Sequence, residues 1–446
     1  MPPIRDFIVL GVILASLPIC FFRPFFGVGL WTLLAFLNPH RMTWGVARDF
    51  PVALLVAAAT LAGFLIFEHR LANLWRRESV FILLLWIWFA ITTIVTTQME
   101  IFHHHAAETW ARFGFVSKIL LMTLIPISLG NSWSRVRRFI LCIAAAFGLL
   151  IVKILPWMIL TGGAYRAYGP EGTMIADNND FGLALVMVFP IFFFLAKSES
   201  NRMVRRLFWF LAVCTVPAVF FTWSRGALVG LVVVVAFIFI GSKQKILLVP
   251  ILLFGAILAL FLTPDAWQNR MTGVVNDPSD RSVQGRYNAW HFAWNLARDY
   301  PITGGGFDTF TPELFVRYAP EAYNFHAAHS IYFGMLGEHG FVGLGLFLGL
   351  LGSCFISLRR LARLGMFLED DRLVLYSRMF QASLLGFVVS GAFLGRHYFD
   401  LFFAIVAAIA MMKAAHESEA VQIEPEGVQM GVDEDISMEP LPGGLT

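Results

Sequence analysis

Charged residues are scarce in this sequence, and their scarcity excludes an ordinary soluble protein. Only 14% of the 446 residues are Asp, Glu, Lys or Arg, whereas soluble domains carry about 25% charged residues. Hydrophobic residues make up 58% of the chain, including 45 Phe and 13 Trp. A chain this apolar must turn most of its surface toward lipid rather than water. Membrane lipids are therefore expected partners, and nothing in the sequence points to nucleic acid.

Cysteine is scarce as well, with four residues in the whole chain. All four lie inside apolar runs, and none can meet another in a polar loop, so we expect no disulfide. We expect them instead to be small buried hydrophobic side chains. They are Cys20, Cys142, Cys214 and Cys354.

Metal-binding and nucleotide-binding patterns are also missing. His103, His104 and His105 are consecutive, so they cannot all face one ion on a helix, and no Cys or carboxylate pattern accompanies them. Residues 304–306 are three glycines, but they lack the strand-to-helix context of a phosphate-binding loop. We therefore expect neither a metal nor a cofactor.

The sequence is rich in apolar runs of membrane-spanning length, about 17–25 residues each. The stretch 5–37 supplies one span or two, because Pro18 and the pair Arg23-Pro24 interrupt it. The pattern predicts an all-α polytopic integral membrane protein with about 12 transmembrane helices. The remaining predicted spans are 50–67, 79–97, 113–129, 138–160, 180–196, 206–222, 226–241, 244–262, 330–356, 376–395 and 398–413.

Connections rich in Lys and Arg fall on alternate sides of these spans in one register, and such connections mark the cytoplasmic side. Loop 38–49 falls on the opposite side even though it contains Arg41 and Arg48. The basic connections are 68–78, 131–138, 197–206, 241–245 and 357–372. The expected periplasmic side holds 98–112, 162–179, 223–226, 263–329 and 396–397.

The predicted organisation has four parts. Residues 1–262 hold transmembrane helices with short loops, and residues 263–329 form a long periplasmic loop with interfacial helices. Residues 330–413 hold the last transmembrane helices. Residues 414–446 contain eight acidic residues and neither Lys nor Arg, which predicts a disordered cytoplasmic tail.

Within the long loop, a helical repeat of large or apolar side chains predicts an amphipathic helix that lies in the membrane interface. Its members recur at spacings of four and three residues and are Val283, Tyr287, Trp290, Trp294 and Ala297. Pro301 and the three glycines at 304–306 follow, so we expect the helix to stop there in a flexible turn.

Three of the arginines on the expected periplasmic side are candidates for an anion site. Arg225 follows Ser224 between two apolar runs, where an arginine is costly unless it pairs or faces water. Arg286 lies in the first turns of the amphipathic helix, where the helix terminus and the guanidinium together favour an anion. Arg166 belongs to the loop that ends at 177–180 in Asp-Asn-Asn-Asp, which predicts a helix cap. Arg225 and Arg286 could instead be interfacial arginines that face lipid headgroups.

A histidine marks the point where the long loop enters a span. His329 begins the sequence His-Ser-Ile-Tyr, so Tyr332 lies on the same helical face three residues on. An imidazole titrates near neutral pH and can take a proton from an alcohol, although His329 could also be a polar first-turn residue. His326 is the nearby alternative. Glu338 lies inside the span and could orient His329 or pair with an arginine, since a carboxylate there is a functional candidate by default.

In their order and spacing these residues resemble the bacterial O-antigen ligase and polymerase superfamily. The pattern begins with a Ser-Arg-Gly turn, continues through an Arg-x-x-x-Trp helix into Pro and Gly-x-Gly, and ends with His-Ser-x-Tyr at a late span. The resemblance is clearest over 180–345, while residues 38–45 are similar to the exosortase-associated O-glycosylation ligase branch. The residues of the pattern are Ser224, Arg225, Gly226, Arg286, Trp290, Pro301, Gly304, Gly306, His329, Ser330, Tyr332, Glu338 and Gly340.

The resemblance implies an all-helical, GT-C-like protein of the bacterial inner membrane with an active site that faces the periplasm. It implies an inverting, metal-independent glycosyltransferase of lipopolysaccharide biosynthesis, which moves a glycan from undecaprenyl diphosphate to a sugar of lipid A-core. Arg225 and Arg286 would bind the donor diphosphate, with Arg166 as a further cation, and His329 would act as the base. The supporting residues would be Ser224, Tyr287, Tyr332 and Glu338.

Three alternatives stay open. A polymerase would use the same donor to extend another lipid-linked chain, and the N-terminal resemblance allows a protein or exopolysaccharide acceptor. A flippase or transporter of the same lipid is disfavoured, because transporters place coupling charges near the midplane and often show repeats. This sequence shows no repeat, and its candidate charges cluster at one surface.

Overall fold

A computed structural model describes residues 4–68, 71–240 and 281–427 of the chain. These residues form α-helices joined by turns and short 3-10 segments, and no strand occurs among them. The architecture confirms the predicted all-α fold. The helices are α1 (Ile4–Phe22), α2 (Pro24–Leu37), α3 (Val52–Gly63), α4 (Arg77–Thr97), α5 (Ala106–Leu129), α6 (Trp133–Leu160), α7 (Asn178–Ser198), α8 (Arg202–Phe221), α9 (Arg225–Ile240), α10 (Arg281–Asp299), α11 (Pro312–Tyr318), α12 (Ile331–Phe367), α13 (Asp371–Gly391) and α14 (Asp400–Gly427).

Nine helices in the described ranges are long and apolar enough to cross a membrane, and α2, α3 and α9 are apolar but shorter. The stretch 5–37 forms two helices, which divide at Arg23. Pro24 occupies the first position of α2, where its missing N–H costs no hydrogen bond. The predicted span 244–262 and the basic connection 241–245 lie outside the described residues.

α7 lies at the centre of the bundle. Its side chains from Phe181 to Ala196 are all buried, and it packs against α6, α8, α9 and α13. A helix that is apolar on every face is stable in this position because other helices surround it. The first residues of α7 therefore lie in the middle of one end of the bundle.

Loop 38–49 packs against the loop that precedes α7, which places both at that same end. Arg48 pairs with Glu171 at 2.6 Å, and Arg41 pairs with Asp49 at 3.0 Å. The two arginines that conflicted with the charge rule thus have acidic partners beside them. We call this end of the bundle the site end.

The basic connections meet at the opposite end, as expected from their positions on alternate sides of the predicted spans. Arg135 pairs with Glu68 at 2.8 Å, and Arg137 pairs with Glu199 at 2.5 Å. These contacts join three of the basic connections to one another. We call this end the basic end, and its cytoplasmic orientation stays a prediction of the charge rule.

The acidic tail starts later than predicted. α14 continues to Gly427, so the prediction of disorder from residue 414 onward is wrong for its first part. Ala414 and Ala415 are buried, and Glu417 and Glu419 pair with arginines of the basic end at 2.8 Å. Acidic side chains with cationic partners no longer repel one another, and Ala and Glu are good helix formers. Residues 428–446 lie outside the described part of the chain.

The predicted amphipathic helix is confirmed as α10, but its buried face differs from the aromatic stripe. Phe292 and Leu296 of α10 pack against Phe315 of the short helix α11. Tyr287 and Trp294 of the stripe are instead about half exposed, at 52% and 47%. Helix α10 therefore packs on the protein through small side chains, Phe292 and Leu296, whereas Tyr287 and Trp294 point outward.

The glycines after α10 are anchored to a kink in α12. Gly340 has φ +66° inside that helix, and the kink leaves carbonyl groups without helical partners. The N–H groups of Gly305 and Gly306 donate to the carbonyl oxygens of Gly337 and Glu338, each at 2.9 Å. The expected flexible turn is thus fixed in place by backbone hydrogen bonds.

Candidate functional site

The turn between α8 and α9 presents Arg225 at the site end. Trp223 has φ +56°, which reverses the chain direction sharply. The Ser224 hydroxyl accepts the N–H of Ala227 at 3.3 Å and so caps α9. Ser224 is buried, whereas Arg225 is partly exposed at the first position of α9. The cap explains why a small hydroxyl residue precedes the arginine.

The loop that carries Arg166 lies directly on this turn. The N–H of Ala167 donates to the Phe221 carbonyl oxygen at 2.8 Å. The guanidinium carbon of Arg166 stands 5.4 Å from the centroid of the Trp223 ring, in cation–π geometry. The structure therefore brings Arg166 and Arg225 to one neighbourhood, although their positions in the sequence lie far apart.

The first turn of α7 completes the same neighbourhood. Asp177 accepts the N–H of Asn179 at 2.8 Å, which confirms the predicted helix cap. Asp180 has a different role, because its carboxylate forms an ion pair with Arg396. Asp180 is 9% exposed and Arg396 is 30% exposed, so the pair lies at the edge of the buried bundle. Sequence patterns singled out neither this pairing nor Arg396.

His329 lies beside this cluster, immediately before α12. Its backbone has φ +43°, in the left-handed region that few non-glycine residues adopt. A Cβ atom placed on Gly395 would lie 3.4 Å from the His329 nitrogen, so these two backbone segments touch. The Trp290 indole N–H donates to the Ala328 carbonyl oxygen at 2.8 Å and so fixes the backbone directly before His329.

The electrostatic surroundings of His329 link it to the arginines. Its pKa lies below the ordinary value of 6.5, first because surrounding protein desolvates the imidazolium and second because of the Arg286 guanidinium. Asp177 acts in the opposite direction, and Arg396 adds to the lowering. The residue is nevertheless exposed at its surface. His329 is therefore a neutral imidazole near neutral pH, within electrostatic reach of two arginines and open to solvent.

Aromatic contacts hold Arg286 on the His329 side of α10. The Trp290 ring stacks on Phe333 of α12 with a centroid distance of 5.0 Å. Tyr287 lies edge-on to Trp290 at 5.5 Å and is half exposed. Because Trp290 lies one helical turn after Arg286, this stack fixes the start of α10 against the start of α12.

His326, the alternative to His329, lies over α10. A Cβ atom placed on Gly285 would lie 1.8 Å from Cδ2 of His326, so the imidazole occupies the space that a side chain there would take. Gly285 directly precedes Arg286, which allows the loop before α12 to approach the helix closely.

Two further predicted residues point away from His329. The Tyr332 hydroxyl donates to the Val388 carbonyl oxygen of α13 at 3.0 Å. Glu338 is buried and accepts hydrogen bonds from His397 at 3.1 Å and from Tyr398 at 2.5 Å. Its partners are thus a histidine and a tyrosine of the connection between α13 and α14, which no sequence signal marked.

The buried network around Glu338 extends to α4. His339 bonds to Tyr398 at 2.5 Å through Nε2 and to Thr92 at 2.8 Å through Nδ1. The network connects the kink of α12 to the connection that carries Arg396.

The histidine run at 103–105 makes contacts between loops. His104 Nε2 bonds to Thr311 at 3.0 Å and lies 3.7 Å from the Glu313 carboxylate. Among the residues that the structure describes, no group of three or more His, Cys, Asp or Glu side chains could hold a metal ion. The site end is instead suited to an anion, because Arg166, Arg225, Arg286 and Arg396 all lie there.

Comparison with known families defines the class of protein. Residues 207–348 match the family model described as O-antigen ligase, and this segment contains Ser224, Arg225, Arg286 and His329. The chain is therefore a polytopic membrane protein whose residues 207–348 are similar to the O-antigen ligase family. Residues 4–200 match a second model, described as a family of unknown function, DUF5935. No curated protein matches the chain.

Proposed function

We propose that the site end transfers a glycan from undecaprenyl diphosphate to a sugar hydroxyl of lipid A-core on the periplasmic face of the inner membrane. The ligase-family match over 207–348 supports the reaction class. The observation that supports the proposal is that Arg166, Arg225 and His329 lie in segments at the same end of the bundle, where Arg166 packs on Trp223 and His329 is an exposed residue.

The proposed step is a single displacement. The acceptor hydroxyl attacks the anomeric carbon, the bond from that carbon to the diphosphate oxygen breaks, and the hydroxyl proton passes to His329. Arg225 and Arg286, with Arg166 beside them, neutralise the charge that develops on the leaving diphosphate. Attack from the face opposite the leaving group inverts the anomeric configuration. Guanidinium groups can supply this stabilisation without a metal ion.

The lowered pKa of His329 supports its role as the base. A base must be unprotonated before it can accept a proton, and desolvation together with Arg286 favours that form near pH 7. Its exposed ring could reach an acceptor from the periplasmic side. Ser224 supports the site by capping the helix that begins with Arg225.

An alternative acceptor is a second candidate. The match to the O-antigen ligase family begins only at residue 207, so it does not include the N-terminal helices. Residues 4–200 match a family of unknown function instead. A protein, an exopolysaccharide or another lipid-linked glycan could therefore take the place of lipid A-core with the same donor chemistry. A transporter is less favoured, because the arginines gather at one end rather than at mid-bundle.

The test is a ligation assay in proteoliposomes with a purified lipid-linked donor and separate acceptor arms for lipid A-core, protein and lipid-linked glycan. We expect transfer to lipid A-core, with loss of about 10²–10⁴-fold in His329→Ala and a comparable loss in Arg225→Ala. Arg317→Ala, an exposed arginine of α11, serves as the matched control and should keep full activity. Full activity in both site variants would overturn the assignment. Abolition by a chelator would remove the metal-free mechanism.

A further inference from the structure

A large apolar groove lies near the basic end of the molecule, far from Arg225. Its volume is about 740 Å³, and it runs between the end of α1, the first half of α2 and the first half of α6. Its apolar walls include Phe26, Leu30, Leu33, Leu141 and Ala145. Phe26 and Ala145 are exposed, so the groove opens on the surface that would face lipid.

Small residues create this groove. Gly29 of α2 faces Cys142 of α6, and a Cβ atom on the glycine would lie 3.2 Å from the cysteine sulfur. Ala145 stands one turn further along α6 and also leaves space. Larger side chains at Gly29 or Ala145 would occupy this space, so the volume depends on small residues at both positions.

One end of the groove is basic. Arg23, Arg135 and Arg138 line it together with Glu68, which leaves two positive charges in excess. Arg135 is engaged by Glu68 at 2.8 Å, whereas Arg138 makes its side-chain hydrogen bonds with Ser134 of its own helix. Arg23 and Arg138 are both exposed, so their guanidinium groups can meet an anion from outside.

The length of the groove matches one leaflet. Arg23 to Leu33 on α2 and Arg135 to Ala145 on α6 each cover ten residues, and both helices run away from the basic end. Ten helical residues rise about 15 Å, and half of a hydrocarbon core is also about 15 Å. An acyl chain in the groove would therefore place a headgroup phosphate beside the arginines.

We propose that this groove binds one anionic glycerophospholipid of the leaflet at the basic end. An acyl chain fills the apolar part, and Arg23 and Arg138 bind the phosphate while Glu68 holds Arg135 in place. The excess positive charge selects an anionic headgroup over a zwitterionic one. The lipid joins α1, α2 and α6, three helices of the N-terminal half.

The test is native mass spectrometry of the full-length protein in detergent, with equimolar phosphatidylglycerol and phosphatidylcholine of the same acyl chains. We expect one phosphatidylglycerol to be retained in preference. Ala145→Trp fills the groove and should lower its occupancy about tenfold or more, whereas Leu149→Trp, exposed one turn further along α6, should not. Arg138→Glu tests the basic end without filling the groove and should abolish the preference, while Arg202→Glu on exposed α8 surface should keep it.

Two results would overturn the proposal. Equal retention of both lipids in the wild type and in all variants would mean adventitious surface lipid only. Displacement of phosphatidylglycerol by equimolar polyprenyl phosphate would mean that the groove belongs to a different lipid. Neither result depends on glycan transfer, so the groove and the proposed catalytic site are tested separately.

Discussion

The pKa of His329 gives the proposed base a measurable signature. Because the pKa lies below 6.5, the acid limb of the rate–pH profile should lie below pH 6.5, where the imidazole becomes protonated and inactive. Arg286→Gln removes a positive charge that disfavours protonation, so the pKa should rise and the limb should move to higher pH. The measurement is the initial rate of transfer from about pH 5 to pH 8.

Arg298→Gln is the control for this shift, because it removes an exposed arginine near the other end of α10. Its acid limb should coincide with that of the wild type. The shape of the profile is compared rather than the rate, since Arg286 is also proposed to bind the donor. An unmoved limb in Arg286→Gln would contradict the electrostatic coupling.

The ion pair between Asp180 and Arg396 should contribute to stability. Arg396→Gln leaves the nearly buried Asp180 carboxylate without its partner and should lower the free energy of unfolding by about 2–3 kcal/mol, after allowance for partial exposure. Asp180→Asn combined with Arg396→Gln should recover part of this loss, because two amides can bond to each other. Denaturant unfolding in detergent micelles measures all three.

The exposed pair of Arg41 and Asp49 provides the comparison. Breaking it with Arg41→Gln should cost about 1 kcal/mol or less, since exposed pairs contribute little. Equal losses at the two pairs would show that Asp180 and Arg396 are no more than a surface contact.

At the scale of single residues, the sequence marked Arg225 and His329 as candidates but did not mark Arg396 and Tyr398, which pair with Asp180 and Glu338. Arg225 and His329 stand out because each adjoins an apolar run, where a charged or titratable group is costly unless it pairs or faces water. Arg396 and Tyr398 do not stand out, since they lie in a short connection with no recurring pattern. Their partners are separated from them by 216 and 60 residues in the sequence, and only folding brings such groups together.

At the scale of elements, the junction between the glycine run and the kink of α12 should be intolerant of side chains. A Cβ atom on Gly304 would lie 2.6 Å from the Gly337 carbonyl oxygen and 2.7 Å from the Gly340 nitrogen, and its φ is +61°. Gly304→Ala should therefore cost at least about 2 kcal/mol. It should also reduce transfer, because α10 would shift relative to α12. Thermal unfolding and the ligation assay measure the two effects.

Gly345→Ala is the matched control for this junction. It lies within α12, and a Cβ atom there would meet nothing within 4 Å. Because alanine favours helix over glycine by about 1 kcal/mol, its melting temperature should be unchanged or higher. A Gly304→Ala protein as stable and active as this control would show that the junction does not hold α10.

Apolar length and proline position predicted most helices, but not the packing of the connecting segments. The sequence marked α10 by its 3.6-residue period and its stripe of aromatic rings, but it did not show which face packs against protein. Phe292 and Leu296 are buried because α11 supplies partners that no local pattern reveals. The helical start of the tail was missed for the same reason, since Glu417 and Glu419 pair with distant arginines.

At the scale of the whole molecule, the two ends should lie on opposite sides of the membrane. Tyr323→Cys places a thiol at a 98% exposed position of the site end, and Phe367→Cys places one at an 83% exposed position of the basic end. The native cysteines are buried or half-buried, so the introduced thiols should account for most of the labelling. A membrane-impermeant maleimide should label Tyr323→Cys in intact spheroplasts and Phe367→Cys only after lysis. The reverse order of labelling would invert the orientation.

In the proposed reaction, the site end breaks the bond between a glycan and a lipid diphosphate. The most direct measurement follows the lipid product of purified protein in nanodiscs supplied with undecaprenyl diphosphate-linked glycan and lipid A-core. We expect one undecaprenyl diphosphate to be released for each glycosidic bond formed, with inverted anomeric configuration in the product, and we expect His329→Ala to lose both the release and the bond formation. A product that retains donor phosphate, or a donor consumed without any new glycosidic bond, would contradict it.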